Sequence, residues 1–329
     1  MHVFRGLPDP LLRRPSAVAI GSFDGVHLGH QSLLHSVCEA ATLRGLVPSV
    51  VTFEPHPKDL FGRSAEVTRL STLYDKVMRI LDTGIQRVYI LPFHKRFAAR
   101  SGESFIREIL SEGLDTRWIT VGNDFHFGSD RQGNIDLLER LAPECRYELA
   151  VAPSFFHKDD RVSSTRIRQC LADSDFYEAA VMLGHRYTMT GRVIHGAALG
   201  RTLGFPTLNI MPMPPGSLAR PAVSGVFAVR VWGLGTTHFT EDVPLNGVAS
   251  LGVKPTVSSD GRWLLETHVF DWMGDAYGKV VRIEFIERLR GEQKFAGLEE
   301  LKAAIENDAC RARRILGMLP PEGSIFPSL

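Results

Sequence analysis

Residues 19–30 read Ala-Ile-Gly-Ser-Phe-Asp-Gly-Val-His-Leu-Gly-His. The apolar run Ala17 to Ile20 leads into a Gly-rich turn that ends at His27-Leu28-Gly29-His30. A helical pattern then begins at once with Leu33, Leu34, Val37, Ala40 and Ala41. Strand, tight turn and helix N-terminus in that order make an anion site, because free N–H groups and the positive end of the helix dipole meet there. Two imidazoles beside it donate to phosphate oxygens and spread the charge that develops when a nucleotide is transferred. Gly29 lets the backbone approach the phosphates. A plain strand-to-helix turn with two solvated histidines is the alternative, and Gly21, Asp24 and Gly25 in the same turn weigh against it.

At 329 residues the chain has room for two domains. Its 44% hydrophobic and 23% charged content is that of a globular protein with a real core. Lys plus Arg number 38 against 37 for Asp plus Glu, so no excess charge attracts nucleic acid or an anionic membrane. Cys38, Cys145, Cys170 and Cys310 are scattered without a Cys-x-x-Cys pair. They read as reduced thiols that pack helices. No apolar run approaches the roughly 18 residues that span a bilayer, and the N-terminus lacks a signal core. The expected compartment is the cytoplasm.

The two halves have different periods. Up to about Val151, expected strands at Ala17–Ile20, Ser49–Phe53, Val88–Leu91, Ile119–Val121 and Glu148–Val151 alternate with helical patterns. These cover Gln31–Arg44, Leu73–Thr83, Glu103–Glu112 and Ile135–Leu141, the first three stopped by Gly45, Gly84 and Gly113 as left-handed caps. Alternation of this kind predicts an α/β fold with a parallel sheet and ligands at the strand C-terminal ends. Near Gly184–Tyr187 the pattern changes to strands in series: Tyr187–Ile194, Val226–Trp232, Val243–Leu251, Trp263–Phe270 and Val280–Leu289. Apolar residues alternate with charges in Val281-Arg-Ile-Glu-Phe285, which predicts one dry face and a small antiparallel β-barrel. A C-terminal helix carries Leu298, Leu301, Ile305, Ala309, Ala312 and Ile315 on one face, with Arg311, Arg313 and Arg314 expected in its last turn. The expected domains are 1–185 and 186–329.

Further motifs carry chemistry. Arg161-Val-Ser-Ser-Thr-Arg-Ile-Arg168 packs three hydroxyls and three guanidiniums into a helix start, a set able to grip a triphosphate, with a capped and solvated basic helix as the alternative. Thr52-Phe-Glu-Pro-His-Pro57 follows the second strand, where Phe53 is able to stack on a flat ring or simply to fill the core. Val121-Gly-Asn-Asp-Phe-His-Phe-Gly128 puts Asn123 and Asp124 at the same sheet edge as His27, unless the pair merely forms a turn. In the second half, Gly191, Gly196, Gly200 and Gly204 allow a backbone that curls around phosphates, with Arg201 as charge partner. Thr207 and Asn209, two residues apart on an extended segment, offer oxygen ligands to Mg²⁺. Glu266 lies opposite Leu265, Thr267 and Val269 by alternation, either in solvent or in use.

The string from Gly21 to His30 resembles the nucleotidyltransferase superfamily signature, and most closely the adenylyltransferase half of prokaryotic bifunctional riboflavin kinase/FMN adenylyltransferases. Gly-Arg-Thr-Leu-Gly-Phe-Pro-Thr-Leu-Asn209 resembles the flavokinase signature of that family's second half, and Ser224–Arg230, Asn246–Thr256 and Leu264–Asp271 agree with it. The chain departs from the family at Asn123, at Ala197-Ala198-Leu199, at Leu208, and at Ser250 and Lys254. The resemblance implies a Rossmann-like nucleotidyltransferase domain followed by a riboflavin kinase-like barrel. It implies two ATP-dependent steps: riboflavin to FMN with release of ADP, then FMN to FAD with release of pyrophosphate.

By the same resemblance His27 and His30 stabilise charge, while Gly21, Gly29, Arg161, Ser164, Thr165 and Arg168 bind ATP phosphates. Phe53, His56, Asn123 and Asp124 lie near the flavin, and Glu266 is the general base. Gly196, Gly200 and Arg201 would hold phosphate, and Thr207 and Asn209 Mg²⁺. A monomer or weak homo-oligomer is expected. Two other readings stand beside this one: a monofunctional nucleotidyltransferase with a non-catalytic barrel, and a flavin-sensing regulator with degenerate sites. A metal site at His27 and His30 lacks further ligands at recognisable spacing.

Overall fold

The run that opens the sequence forms strand β2 of a parallel sheet. In the computed structural model the strands of the first half are β1 (His2–Arg5), β2 (Ser16–Ile20), β3 (Val47–Glu54), β4 (Arg87–Pro92), β5 (Thr116–Gly122) and β6 (Glu148–Ala152). Their order is β1-β4-β3-β2-β5-β6, with every pairing parallel. The structure describes residues 1–61, 68–196, 199–214, 217, 219–235, 243–254 and 262–318. The chain divides into two units: Met1–Val67 with Lys76–Ser163, and Thr68–Asp75 with Ser164–Leu329.

The five expected strands of the first half are all present, each longer by one or more residues. Strand β1 lacks a sequence signal because it is a short and largely exposed edge. All five residues of β2 are buried, as a central strand covered on both faces requires. Val18, Ile20, Val51, Tyr89, Leu91 and Ile119 from four strands pack on Ile106, Leu110 and Leu138 from the helical layer. Helix α1 (Leu28–Arg44) begins at His27 and ends on Gly45 at φ 64°. Helix α2 (Leu73–Asp82) precedes Gly84 at φ 96°, and α3 (Ile135–Cys145) runs past the expected stop at Leu141, ending on left-handed Arg146. The third expected glycine cap does not form. Residues Phe105–Ser111 are π-helical, and Asp115 rather than Gly113 takes the positive φ that turns the chain.

The second unit opens with α4 (Ser164–Ala172) and α5 (Phe176–Leu183), the latter not anticipated. Six strands of one sheet follow: β7 (Thr188–Arg192), β8 (Leu208–Ile210), β9 (Gly225–Trp232), β10 (Leu245–Lys254), β11 (Arg262–Val269) and β12 (Val280–Arg290). Their order is β7-β12-β9-β10-β11-β8, all antiparallel. A bridge between Ile194 and Asn209 brings the two ends together, so the sheet nearly closes into the expected barrel. Val243, expected to start a strand, lies outside β10. Pro215, Ala197 and Ala198 lie outside the described residues, as do Pro255 and Thr256.

Two expectations about the barrel need correction. The charged face of β12 is not wet: Glu284 is 2% and Arg230 6% exposed, they stand opposite each other in register, and Arg186 pairs with Glu284 at 3.3 Å. The same face of β9 carries Val226 and Ala228 under helix α6 (Leu298–Met318), so its charges are buried and therefore paired. On α6, Asp308, Ala309, Ala312 and Leu316 are buried, while Leu298 at its first position is 57% exposed. Its last turn lies past Arg311, Arg313 and Arg314. Arg311 instead donates to the Leu289 carbonyl, and Arg313 pairs with Asp271. No helix among the described residues is long and apolar enough to cross a membrane.

Candidate active sites

In the first unit β2 pairs with β3 on one side and β5 on the other, which makes the turn after β2 the topological switch point of the sheet. That turn is tightly held. The Gly21 N–H donates to Val51, Thr52 Oγ1 donates to the Ser22 carbonyl, and Gln31 donates to the Val26 carbonyl. Phe23 and Val26 take left-handed φ of 48° and 42°, so the loop stores strain of the kind kept at functional sites. Asp24 is buried.

His27 is the N-cap of α1. Its Nδ1 accepts the His30 N–H at 3.3 Å, which leaves the proton of the neutral ring on Nε2. The His27 and His30 rings stack at 3.7 Å between centroids, and Phe23 packs edge-on to His30 at 5.2 Å. Burial, and after it the neighbouring His27, push the His30 imidazole well below its ordinary pKa. His30 is thus held as a neutral imidazole, stacked on the N-capping His27 at the start of α1. A β-carbon on Gly29 would meet the His27 ring at 3.3 Å, so glycine here keeps the turn narrow.

A cleft of about 980 Å³ opens beside this turn, and its lining includes Gly21, His30, Phe53, His56 and Asp124 from the expected site. Phe53 is buried and packs edge-on to Phe93 at 5.7 Å. Phe97, Phe105, Phe125 and Phe127 complete an aromatic wall that suits a flat ring. These five phenylalanines beyond Phe53 were not singled out from the sequence, though two stand in the quoted Phe-His-Phe-Gly run. His56 accepts the Lys58 N–H at 3.1 Å and is buried. Asp124 is exposed and pairs with Arg161 at 2.9 Å, while the exposed Asn123 meets Ser154 at 3.5 Å. Lys76, also unforeseen, is 3% exposed and holds Glu54 at 3.3 Å and the Phe53 carbonyl at 3.4 Å.

The second unit carries the barrel's set and also three residues of the expected triphosphate grip. Ser164, Thr165 and Arg168 lie on the first turns of α4, and Arg168 donates to the Thr68 carbonyl at 2.8 Å. In the barrel, Asn209 of β8 stands directly opposite Glu266 of β11, and Ser250 of β10 opposite Glu266 on its other side. Leu265, Thr267 and Val269 are buried, so Glu266 points to the other, half-exposed face, as alternation predicts. Asn209 is buried and donates to the Thr207 carbonyl at 3.3 Å, yet its Oδ1 has no hydrogen-bond partner among the described residues. A buried, unpartnered amide oxygen next to Thr207 is a fitting ligand for a hard cation. A β-carbon on Gly196 would lie 2.6 Å from the Asn209 amide nitrogen, and one on Gly200 2.3 Å from the Phe205 oxygen. Both glycines are therefore set by close approach. Arg201 is exposed on the short helix Leu199–Thr202. The side chain of Lys254 lies outside the described residues.

A histidine pair at the switch point of a parallel sheet, followed by a barrel with a carboxylate beside an orphaned amide, defines a two-domain phosphate-transferring enzyme. Comparison with known proteins narrows the class. A FAD synthetase family model matches residues 10–166, and a riboflavin kinase model residues 183–316. Bifunctional riboflavin kinase/FMN adenylyltransferase of Escherichia coli K12 is 39% identical over 98% of this chain and 100% of its own. The proteins of the same name from Pseudomonas fluorescens and Haemophilus influenzae are 38% and 36% identical, over 96% and 95% of this chain and 98% of each. A crystal structure described as a macrolide-efflux protein from Streptococcus pneumoniae aligns with TM-score 0.69 and 27% identity, over 93% of this chain and 96% of that one. The chain belongs to the bifunctional riboflavin kinase/FMN adenylyltransferase family.

Proposed function

We propose that this chain phosphorylates riboflavin to FMN in its barrel and converts FMN to FAD in its parallel-sheet unit, with a separate residue set for each step. The observation that carries the reading is that two chemically distinct clusters stand one in each unit. A stacked His pair stands at a helix N-terminus in one, and a carboxylate beside Asn209 in the other. The functional halves are 1–185 and 186–329, although α4, α5 and Thr68–Asp75 pack with the barrel.

In the barrel, Glu266 takes the proton of the ribityl 5′-hydroxyl as its oxygen attacks the γ-phosphorus of ATP and ADP leaves. An alcohol is a weak nucleophile at neutral pH, so a base is needed. Thr207 and Asn209 would hold Mg²⁺, and the unpartnered Oδ1 of Asn209 supports this. The ion, when bound, neutralises phosphate charge. Gly196, Gly200 and Arg201 line the phosphates.

In the other unit, an FMN phosphate oxygen attacks the α-phosphorus of ATP, and the bond to the bridging oxygen breaks as pyrophosphate leaves. A phosphate monoester is already an anion, with a second pKa of about 6, so no base is needed. His27 and His30 donate to the developing charge and Arg161 holds the triphosphate, while Ser164, Thr165 and Arg168, which the resemblance gives to the same triphosphate, stand at the start of α4 in the second unit. Phe53 and His56, with Asn123 and Asp124 at the sheet edge, frame the flavin. Both steps consume ATP, which supports the cytoplasm as their compartment. Incubation with riboflavin, ATP and Mg²⁺, followed by separation of the flavins, tests the reading. FMN and then FAD should appear, whereas flavin binding without turnover would favour a regulator.

A further inference from the structure

The aromatic cleft of the first unit accounts for binding the flavin ring and does nothing to tell FMN from riboflavin, which carry the same ring. Discrimination needs a cation for the phosphate. Lys58, Arg100 and Arg131 all line the cleft, and of these only the arginines offer a planar fork to two phosphate oxygens. Arg100 is committed to Ser104 at 2.9 Å and to Glu108. The guanidinium of Arg131 makes no hydrogen bond or ion pair among the described residues and is exposed at the cleft rim.

The loop that presents Arg131 is built against its own backbone preference. Asp130 and Arg131 have left-handed φ of 51° and 56°, a conformation costly for residues with a β-carbon. Both ends of the loop are locked. Phe127 and Gly133 exchange two backbone hydrogen bonds of 2.9 Å, and Ser129 donates to the Arg100 carbonyl at 2.8 Å. A β-carbon on Gly133 would meet the Phe127 ring at 2.8 Å, and one on Gly128 the Gly102 nitrogen at 2.6 Å. Consecutive strained residues held by their surroundings at a ligand cleft are the pattern of a functional clamp. The planar fork of arginine fits two phosphate oxygens.

We infer that Arg131 binds the phosphate of FMN in this cleft and is the residue that makes the adenylylation site prefer FMN to unphosphorylated flavin. It also offsets the repulsion between the FMN phosphate and the ATP triphosphate as they approach. The inference rests on the reading of the first unit as the FMN adenylyltransferase.

The test uses the full-length chain supplied with FMN and ATP, with lumiflavin (the ring without a phosphorylatable side chain) as competitor. Arg131→Gln should raise KM for FMN about tenfold or more, the loss carried by one charge-assisted contact. Its kcat should hold within about threefold, and Arg131→Lys should recover part of the loss. The inhibition constant of lumiflavin and the rate of riboflavin phosphorylation should not change. An unchanged KM for FMN overturns the proposal. So does a lumiflavin constant that rises in the same proportion, because the loop would then shape only the ring pocket. Absence of FAD from the unaltered chain would instead overturn the underlying reading of this unit.

Discussion

Asn209 and Glu266 are direct cross-strand partners in the barrel, and the buried Asn209 Oδ1 lacks a hydrogen-bond partner among the described residues while Glu266 faces the half-exposed side. This places the proposed base one strand from the proposed cation ligand Asn209. Glu266→Gln keeps the shape and removes the basic oxygen. It should slow riboflavin phosphorylation by about 10²–10⁴, the usual worth of a general base. FMN supplied to the same variant should still become FAD at the unaltered rate, measured by chromatography of the flavins. A rate of phosphorylation within threefold of the parent would remove Glu266 from the mechanism.

The lowered pKa of His30 makes a pH-dependent stability difference. Unfolding releases the imidazole to its ordinary value of about 6.5, so the unfolded chain binds more protons once the pH falls below that. The stabilisation is complete above about 6.5 and is lost as the pH drops toward the folded value. His30→Gln keeps a polar side chain and abolishes the titration. Between about pH 7.5 and 5.5 the urea midpoint should therefore fall further for the parent chain than for this variant. Equal falls would contradict the assignment of a neutral, half-buried His30.

Asp75 anchors the start of the barrel. It is 5% exposed and accepts Thr190 N–H at 2.8 Å, Thr190 Oγ1 at 2.5 Å and Thr72 Oγ1 at 2.7 Å. Asp75→Ala leaves two buried Thr190 donors unpaired and should destabilise the chain by about 2–4 kcal/mol. Asp75→Asn keeps one acceptor and should cost less. Urea unfolding of both variants measures the difference, and a loss below about 1 kcal/mol in the alanine variant would show that Thr190 finds another partner.

What the sequence revealed and what it hid follow from the range of the interactions. The turn at His27, the Gly196–Asn209 segment and most strand positions are local patterns, visible as spacing and alternation. Three things are not local. The aromatic wall gathers Phe53, Phe93, Phe105 and Phe127 from separate elements, and each alone reads as an ordinary core residue. Asp75 meets Thr190 across 115 positions of sequence, so nothing near either residue announces the other. The burial of Glu284 and Arg230 hides for a related reason: alternation tells which face a residue is on, not whether another element covers that face. At Asp130 and Arg131 the backbone violates local preference altogether, which no propensity argument anticipates.

The central claim is that the two reactions use separate residue sets, and the flavin profile of a His27→Ala, His30→Ala variant tests it most directly. Loss of one such donor costs about 10²–10³ in rate, and only in the step where the charge develops. Given riboflavin, ATP and Mg²⁺, the variant should accumulate FMN at the parent rate and form almost no FAD. Equal loss of FMN and FAD formation in a folded variant would contradict the account.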